Sequence, residues 1–177
     1  ALELGANVTL IIGPTNLLMD LKDIKSIRVE DSQEMFNEII KLFDSSDVVI
    51  CSAAISDFKP AKTKQNKIKK ENGLDSIKLE PTIDILKKLG SIKTSQYLVG
   101  FALETDNIIE NAKKKLKSKN LDAIVVNKID DFNPISSDYN QIDFINSTLK
   151  ITSFDKKLKS NVSVDILNQI IKNVKGT

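Results

Sequence analysis

Residues 96–126 read QYLVGFALETDNIIENAKKKLKSKNLDAIVV. The β-rich run over 96–102 predicts a strand, 107–119 a helix, and 122–126 a second strand. Two apolar strands joined by one helix lie parallel, because a crossover of this length returns the chain to the same end of the sheet. Working outward, 8–12 predicts a buried strand stopped by Gly13-Pro14. Asp31 opens a helix with Met35, Phe36, Ile39, Ile40 and Phe43 at helical spacing, and 47–51 follows as another strand. Between 52 and 81 periodicity is weak, with a turn at Gly73 and a short strand over 77–79. A helix over 82–89 then leads back to the opening segment. Beyond it, 141–146 and 149–154 read as a two-stranded antiparallel arm outside the parallel sheet, followed by a helix over 163–174. The fold class expected is therefore α/β: a mostly parallel sheet flanked by helices, with an antiparallel strand pair near the C-terminus, in a single domain over 1–177.

Composition narrows the chemistry. With 177 residues and 41% hydrophobic content the chain can bury one sizeable core. The lone Cys51 cannot form an internal disulfide, and no cysteine and histidine cluster has zinc spacing, so a reducing cytoplasm fits best. The longest apolar runs fall short of the roughly 20 residues a membrane helix needs. The net charge of +2 does not demand a polyanionic partner, yet six lysines and no acid occupy 59–70, and five more fall within 113–119. There is no histidine at all, which removes the commonest general base and any Ser-His or Cys-His pair. Chemistry must run on Lys, Asp, Glu and Asn.

In an open α/β sheet ligands sit beyond the carboxyl ends of the strands, which directs attention to the segments after Ile12, Cys51, Gly100 and Val126. After the strand at 47–51 come the small residues Ser52, Ala53 and Ala54, then Asp57. They either let a ligand approach the backbone, with Asp57 on ribose hydroxyls or a cation, or simply pack and cap a tight turn. Lys67 sits in the lysine-rich stretch, which is a phosphate clamp or a solvated face. Pro81-Thr82-Ile83-Asp84 has the form of a helix start, with Thr82 able to cap and free N–H groups able to receive an anion. Phe101 can pack in the core or stack on a base. Lys115 and Lys119, four apart on one helix, repel unless an anion lies between them, although a basic C-terminal turn is favourable on dipole grounds alone.

Taken together, GANVTLIIGP, SAAISDFKP, a KIKK whose first lysine lies ten residues after Asp57, PTIDIL, LVGFALET and AKKKLKSKNLDAIVVN resemble phosphopantothenoylcysteine synthetase in order and spacing. The resemblance spans nearly the whole chain and is closest to the bacterial domain commonly fused behind a flavin-dependent decarboxylase. It implies a Rossmann-like fold and a cytoplasmic homodimeric ligase. That enzyme uses CTP and Mg²⁺ to activate 4′-phosphopantothenate as an acyl-cytidylate and then joins it to cysteine. FMN is implied only if a decarboxylase domain precedes the chain. Carried over residue by residue, the nucleotide-binding set is Cys51, Ser52, Ala53, Asp57, Lys67, Ile83, Asp84, Ile85, Leu86, Phe101, Lys115 and Lys119. Lys67 is also the residue expected to act on the reacting phosphates, and no protein metal ligand is assigned. The family's first strand and the asparagine-containing loop that handles the acyl intermediate have no counterpart here, so the chain reads as N-terminally truncated. A non-catalytic nucleotide-binding or basic nucleic-acid module is the alternative, although only Phe58 offers an aromatic near the lysines. A nicotinamide dehydrogenase would need a GxGxxG turn; none is present in 1–177, and the missing first strand is where it would lie.

Overall fold

The structure, a computed structural model, describes residues 1–15, 24–62, 76–103, 107–128 and 137–175. Its centre is a five-stranded sheet built from β3 (Val48–Cys51), β6 (Tyr97–Leu103), β7 (Ala123–Asn127), β8 (Tyr139–Asn146) and β9 (Ile151–Leu158), in that order. The pairs β3–β6 and β6–β7 are parallel, whereas β7–β8 and β8–β9 are antiparallel, so the sheet is mixed. A second, two-stranded parallel sheet joins β1 (Thr9–Ile12) to β2 (Lys25–Arg28). A two-stranded antiparallel ribbon joins β4 (Phe58–Pro60) to β5 (Leu79–Pro81).

Strand alternation divides the central sheet into two faces. Leu98, Ala102, Ile124 and Val126 point to a core shared with α1 (Ser32–Phe43), α2 (Ile85–Ile92) and α3 (Ile108–Ser118), through Met35, Phe43, Ile85, Leu89, Ala112 and Leu116. Val99, Val125, Ile142 and Phe144 point the other way, onto Val162, Ile166 and Ile170 of α4 (Lys159–Lys175). The central strands β6 and β7 are buried on both faces, which is why their sequence is a continuous apolar run rather than an alternation. Among the described residues no helix is long and apolar enough to cross a membrane.

Several elements differ from expectation for identifiable reasons. The C-terminal strand pair is not an arm outside the sheet: β8 adds to β7 over five register positions, from Ala123↔Asn146 to Asn127↔Ile142. An isolated hairpin is marginal in water, and β7 supplies the third strand that lets Ile142, Phe144 and Ile145 bury on both faces. Strand β1 is half-buried rather than buried. Its partner β2, with three of its four residues exposed, carries no apolar alternation that would announce a strand. Asp84, not Thr82, caps α2, its carboxylate accepting from the Lys87 N–H at 3.1 Å. Strand β4 lies where weak periodicity predicts a loop, and β5 lies two residues beyond the expected short strand; prolines at Pro60 and Pro81 confine this pair to an exposed edge position.

Candidate functional site

The turn beyond the carboxyl end of β3 is pinned to the start of α2 by the backbone and the side chain of one residue, Thr82. The Thr82 N–H donates to the Asp57 carbonyl at 2.9 Å, and the Thr82 hydroxyl donates to the Ser56 carbonyl at 2.5 Å. The expected cap residue therefore works as a clasp, holding the turn Ser52–Asp57 against the N-terminus of α2. Ser52, Ala53 and Asp57 are exposed at this turn.

Cys51 differs from its neighbours. Its side chain packs against the first core, next to Gly100, its register partner on β6. Gly100 is required there: a Cβ would stand 2.9 Å from Leu121 Cδ1 and 3.1 Å from Leu86 Cδ1. Leu86 thus lies directly over the β6 backbone, with Ile85 buried and Ile83 partly buried against the same core. Of the four residues 83–86, only Asp84 presents an exposed side chain, so a ligand at this end would meet Asp84 and the backbone N–H groups of the helix start.

Lys119 reaches from the end of α3 to Asp84, its Nζ 3.0 Å from the carboxylate. The anion that the Lys115/Lys119 pair requires is therefore supplied by the protein itself. Lys115 is half-buried one turn earlier on the same helix, while Lys113 pairs with Glu110 at 3.3 Å. The structure accordingly brings together Cys51, Ser52, Ala53, Asp57, Ile83, Asp84, Ile85, Leu86 and Lys119 on the α2–α3 side of the sheet, with Lys115 on the same helix as Lys119.

Phe101 does not join that group. Alternation along β6 sends its ring to the opposite face, where it is half-buried against the second core. Lys67 lies outside the described residues. A polar cluster that sequence reasoning missed occupies the carboxyl end of β7. Asn140 Nδ2 donates to Asn127 Oδ1 at 3.0 Å, and Lys128 Nζ lies 2.8 Å from Asp143 Oδ1, a carboxylate only 4% exposed. The rule that points to strand ends picks out the segment after Val126, but nothing local in Asn127-Lys128 marks either residue.

Burial pushes the Cys51 thiol up to about 11. It also raises Tyr97, at the other end of the sheet, to about 12, with the Asp122 charge adding to the effect. Neither is ionised at neutral pH, so Cys51 is held as a thiol and not as a thiolate. Alkylation of Cys51 at pH 8 should run on the order of 10²-fold slower than for an exposed cysteine, and labelling at the free-thiol rate would refute the burial. Both folded values lie above the unfolded ones. The stability each group contributes is present in full below its unfolded pKa and is lost as pH rises towards the folded value. Tm should therefore hold to about pH 8 and fall between about pH 9 and 12, the lower part of that fall shrinking in Cys51→Ala.

Comparison with known proteins gives a consistent result. Residues 1–174 match the family described as DNA/pantothenate metabolism flavoprotein C-terminal domain. The chain is 43% identical over 129 residues to the coenzyme A biosynthesis bifunctional protein CoaBC of Bacillus subtilis, covering 73% of the chain and 32% of that protein. It is 42% identical over 173 residues to a protein of an unknown prokaryotic organism named cysteine/cysteine sulfinic acid decarboxylase, covering 97% of the chain and 48% of that protein. The chain thus spans half or less of the length of these curated relatives. Among solved structures, the C-terminal domain of a coenzyme A biosynthesis bifunctional protein CoaBC superposes with a TM-score of 0.82 at 34% identity, covering 99% of this chain and 79% of that one.

Proposed function

Because the chain belongs to the DNA/pantothenate metabolism flavoprotein C-terminal domain family, we propose that it is the ligase part of a coenzyme A biosynthesis enzyme, a single nucleotide-binding domain making 4′-phosphopantothenoylcysteine. A carboxylate oxygen of 4′-phosphopantothenate attacks the α-phosphorus of CTP and expels pyrophosphate. The amine of cysteine then attacks the acyl carbon of the acyl-cytidylate, expels CMP and gives up a proton. The observation that carries this reading is the clasped turn Ser52–Asp57 set against the α2 N-terminus and the Asp84–Lys119 pair, all on one side of the strand ends.

Such a reaction suits a chain without histidine. The substrates themselves are the nucleophiles, and the protein's work is to position them and to neutralise charge on phosphate oxygens. Lys115, Lys119 and, by family resemblance, Lys67 are the cations proposed for that role, and Asp57 is proposed for the ribose. Among the described residues no three His, Cys, Asp or Glu side chains converge to hold a metal. Mg²⁺ would be held chiefly by the nucleotide's phosphates, as is usual for this ion, with the exposed Asp57 in the turn after β3 a carboxylate that could assist. FMN belongs to a decarboxylase region where one is fused, and no role here requires it.

Pyrophosphate release by the full-length protein with 4′-phosphopantothenate and cysteine tests the proposal. CTP should support turnover well above ATP; equal or faster turnover with ATP would overturn the base assignment, and none with either would overturn the ligase reading.

We also propose a homodimer. The β4–β5 ribbon leaves Phe58 and Leu79 60% and 55% exposed, and Ile77, just before β5, is 58% exposed; exposed apolar side chains of this kind mark an association surface. Light scattering should give twice the chain mass for the parent protein and a lower mass for Phe58→Asp; a monomeric parent at micromolar concentration would refute it.

A further inference from the structure

We propose that Thr82 is a positioning residue for the reaction, holding the turn that carries Asp57 at a fixed separation from the start of α2, an inference that rests on the ligase reading above. Thr82 is half-buried and directly follows the last residue of β5. Asp84 caps α2, which leaves the Thr82 hydroxyl for another partner. That hydroxyl donates to the Ser56 carbonyl at 2.5 Å, while the Thr82 N–H donates to the Asp57 carbonyl at 2.9 Å. One residue thus engages two successive carbonyls, and with them the two peptide planes that flank Asp57.

These bonds fall where the turn has little other support. Ile55 packs against the first core, which fixes the turn one residue before Ser56. Beyond Asp57 the chain runs out along the β4–β5 ribbon, where Phe58, Lys59 and Pro60 are exposed. Pro60 and Pro81 bring no N–H donor to that ribbon, and the Lys59–Glu80 pair that crosses it, at 3.5 Å, is open to water. The ribbon is therefore a weak brace for Asp57, and the hold comes from Ile55 on one side and Thr82 on the other.

Two residues after Thr82 stands Asp84, which accepts from the Lys87 N–H and pairs with Lys119 at 3.0 Å. Thr82 is accordingly the link through which the Asp57 carboxylate, proposed for the ribose, and the Lys119 ammonium, proposed for the phosphates, keep one spacing. In-line attack on the α-phosphorus needs both parts of the nucleotide held at once, so a loosened spacing is felt in turnover more than in binding. The Thr82–Ser56 bond is exposed. Water can take over the Ser56 carbonyl when the hydroxyl is removed, and folding loses little.

A bond that serves folding alone would move the unfolding midpoint and leave the turnover of each folded molecule untouched. In the full-length protein, kcat and KM for CTP are measured by pyrophosphate release with 4′-phosphopantothenate and cysteine, alongside the urea midpoint and amide hydrogen exchange over 52–57. Thr82→Val, which removes the hydroxyl at nearly constant shape and keeps the N–H, should lower kcat about 10-fold and change KM for CTP far less. The urea midpoint should stay close to that of the parent, and exchange should quicken over 52–57 but not in β6 or β7. Thr82→Ser, which keeps the hydroxyl, should recover most of the lost turnover. Parental kcat in Thr82→Val, unchanged exchange over 52–57, or a loss that tracks unfolding and is not recovered by serine would each overturn the inference and leave the ligase reading standing. A parent that makes no product with CTP or ATP would overturn both.

Discussion

Gly90→Ala should destabilise the protein by about 2–4 kcal/mol, against the helix propensity of alanine. Gly90 is buried within α2, where alanine is otherwise favoured by about 1 kcal/mol. A Cβ there would lie 1.8 Å from the Lys119 carbonyl oxygen and 2.9 Å from its carbon. Both are backbone atoms, and they cannot turn aside as a side chain would. They are also fixed by the way α3 ends. Asn120 adopts the left-handed conformation at φ 51, its N–H donates to the Lys117 carbonyl at 3.2 Å, and the Leu121 N–H donates to the Leu116 carbonyl at 2.9 Å. These two bonds form a Schellman-type stop, closed on its apolar side by buried Leu116 and Leu121. The Asn120 Nδ2 then donates to the Gly90 carbonyl at 2.7 Å, tying the two helices at their point of closest approach. Steric exclusion should win because the clash is with rigid backbone. Urea denaturation measures it, and a variant as stable as the parent, or more so, would show that α3 can shift at little cost.

That junction shows where sequence reading stops. The strands 96–102 and 122–126 and the helix between them were legible because their signal is local: an apolar run, then a helical segment, then another run. The positions of the structural strands and helix agree with these ranges to within a residue or so at each end. Helix α1 was legible for the same reason, with Asp31 accepting from the Gln33 and Glu34 N–H groups at 2.8 Å each. What could not be read are features set by residues distant in the chain. Strand β8 joins the sheet because β7 offers a free edge and two apolar faces, and nothing within 139–146 announces that partner. Gly90 looks like a weak spot in a helix until Lys119 is placed against it. Thr82 carries a sound capping signal, yet Ser56 and Asp57, 26 residues away in the case of Ser56, claim it.

The candidate site divides along the same line. The family blocks identify residue types at positions, and the positions converge in the structure as far as Cys51–Asp57, the α2 start and Lys119. Which side chains face a ligand is a matter of strand parity and burial. Cys51 turns inward with its proton retained, Ile85 is core, and Phe101 takes the face opposite the lysines. Nothing local marks Asn127, because an asparagine at a strand end has no distinctive pattern and its contact with Asn140 comes from the next strand.

Lys119→Ala should lower kcat/KM for CTP in the full-length protein by about 10²-fold while changing unfolding free energy by less than about 1 kcal/mol. The two magnitudes separate because of where the side chain sits. Its Nζ pairs with Asp84 at 3.0 Å, but the pair is open to water, with side-chain exposures of 24% for Lys119 and 44% for Asp84. Solvent screening leaves such pairs little net stabilising value. In the proposed complex the ammonium faces developing charge on phosphate oxygens in a site from which the ligand excludes water, where a fixed cation counts for far more. Asp84→Asn separates holding from charge. An asparagine can still cap α2, and its Oδ1 can still accept from Lys119, so helix and lysine both stay in place. The loss in kcat/KM should therefore be several-fold smaller than for Lys119→Ala. Lys115→Ala, which removes a cation from the same face one turn earlier, should resemble Lys119→Ala in direction. Lys119→Ala with parental kcat/KM and a large drop in stability would mean that Lys119 is a structural tether for α2 and not a nucleotide contact.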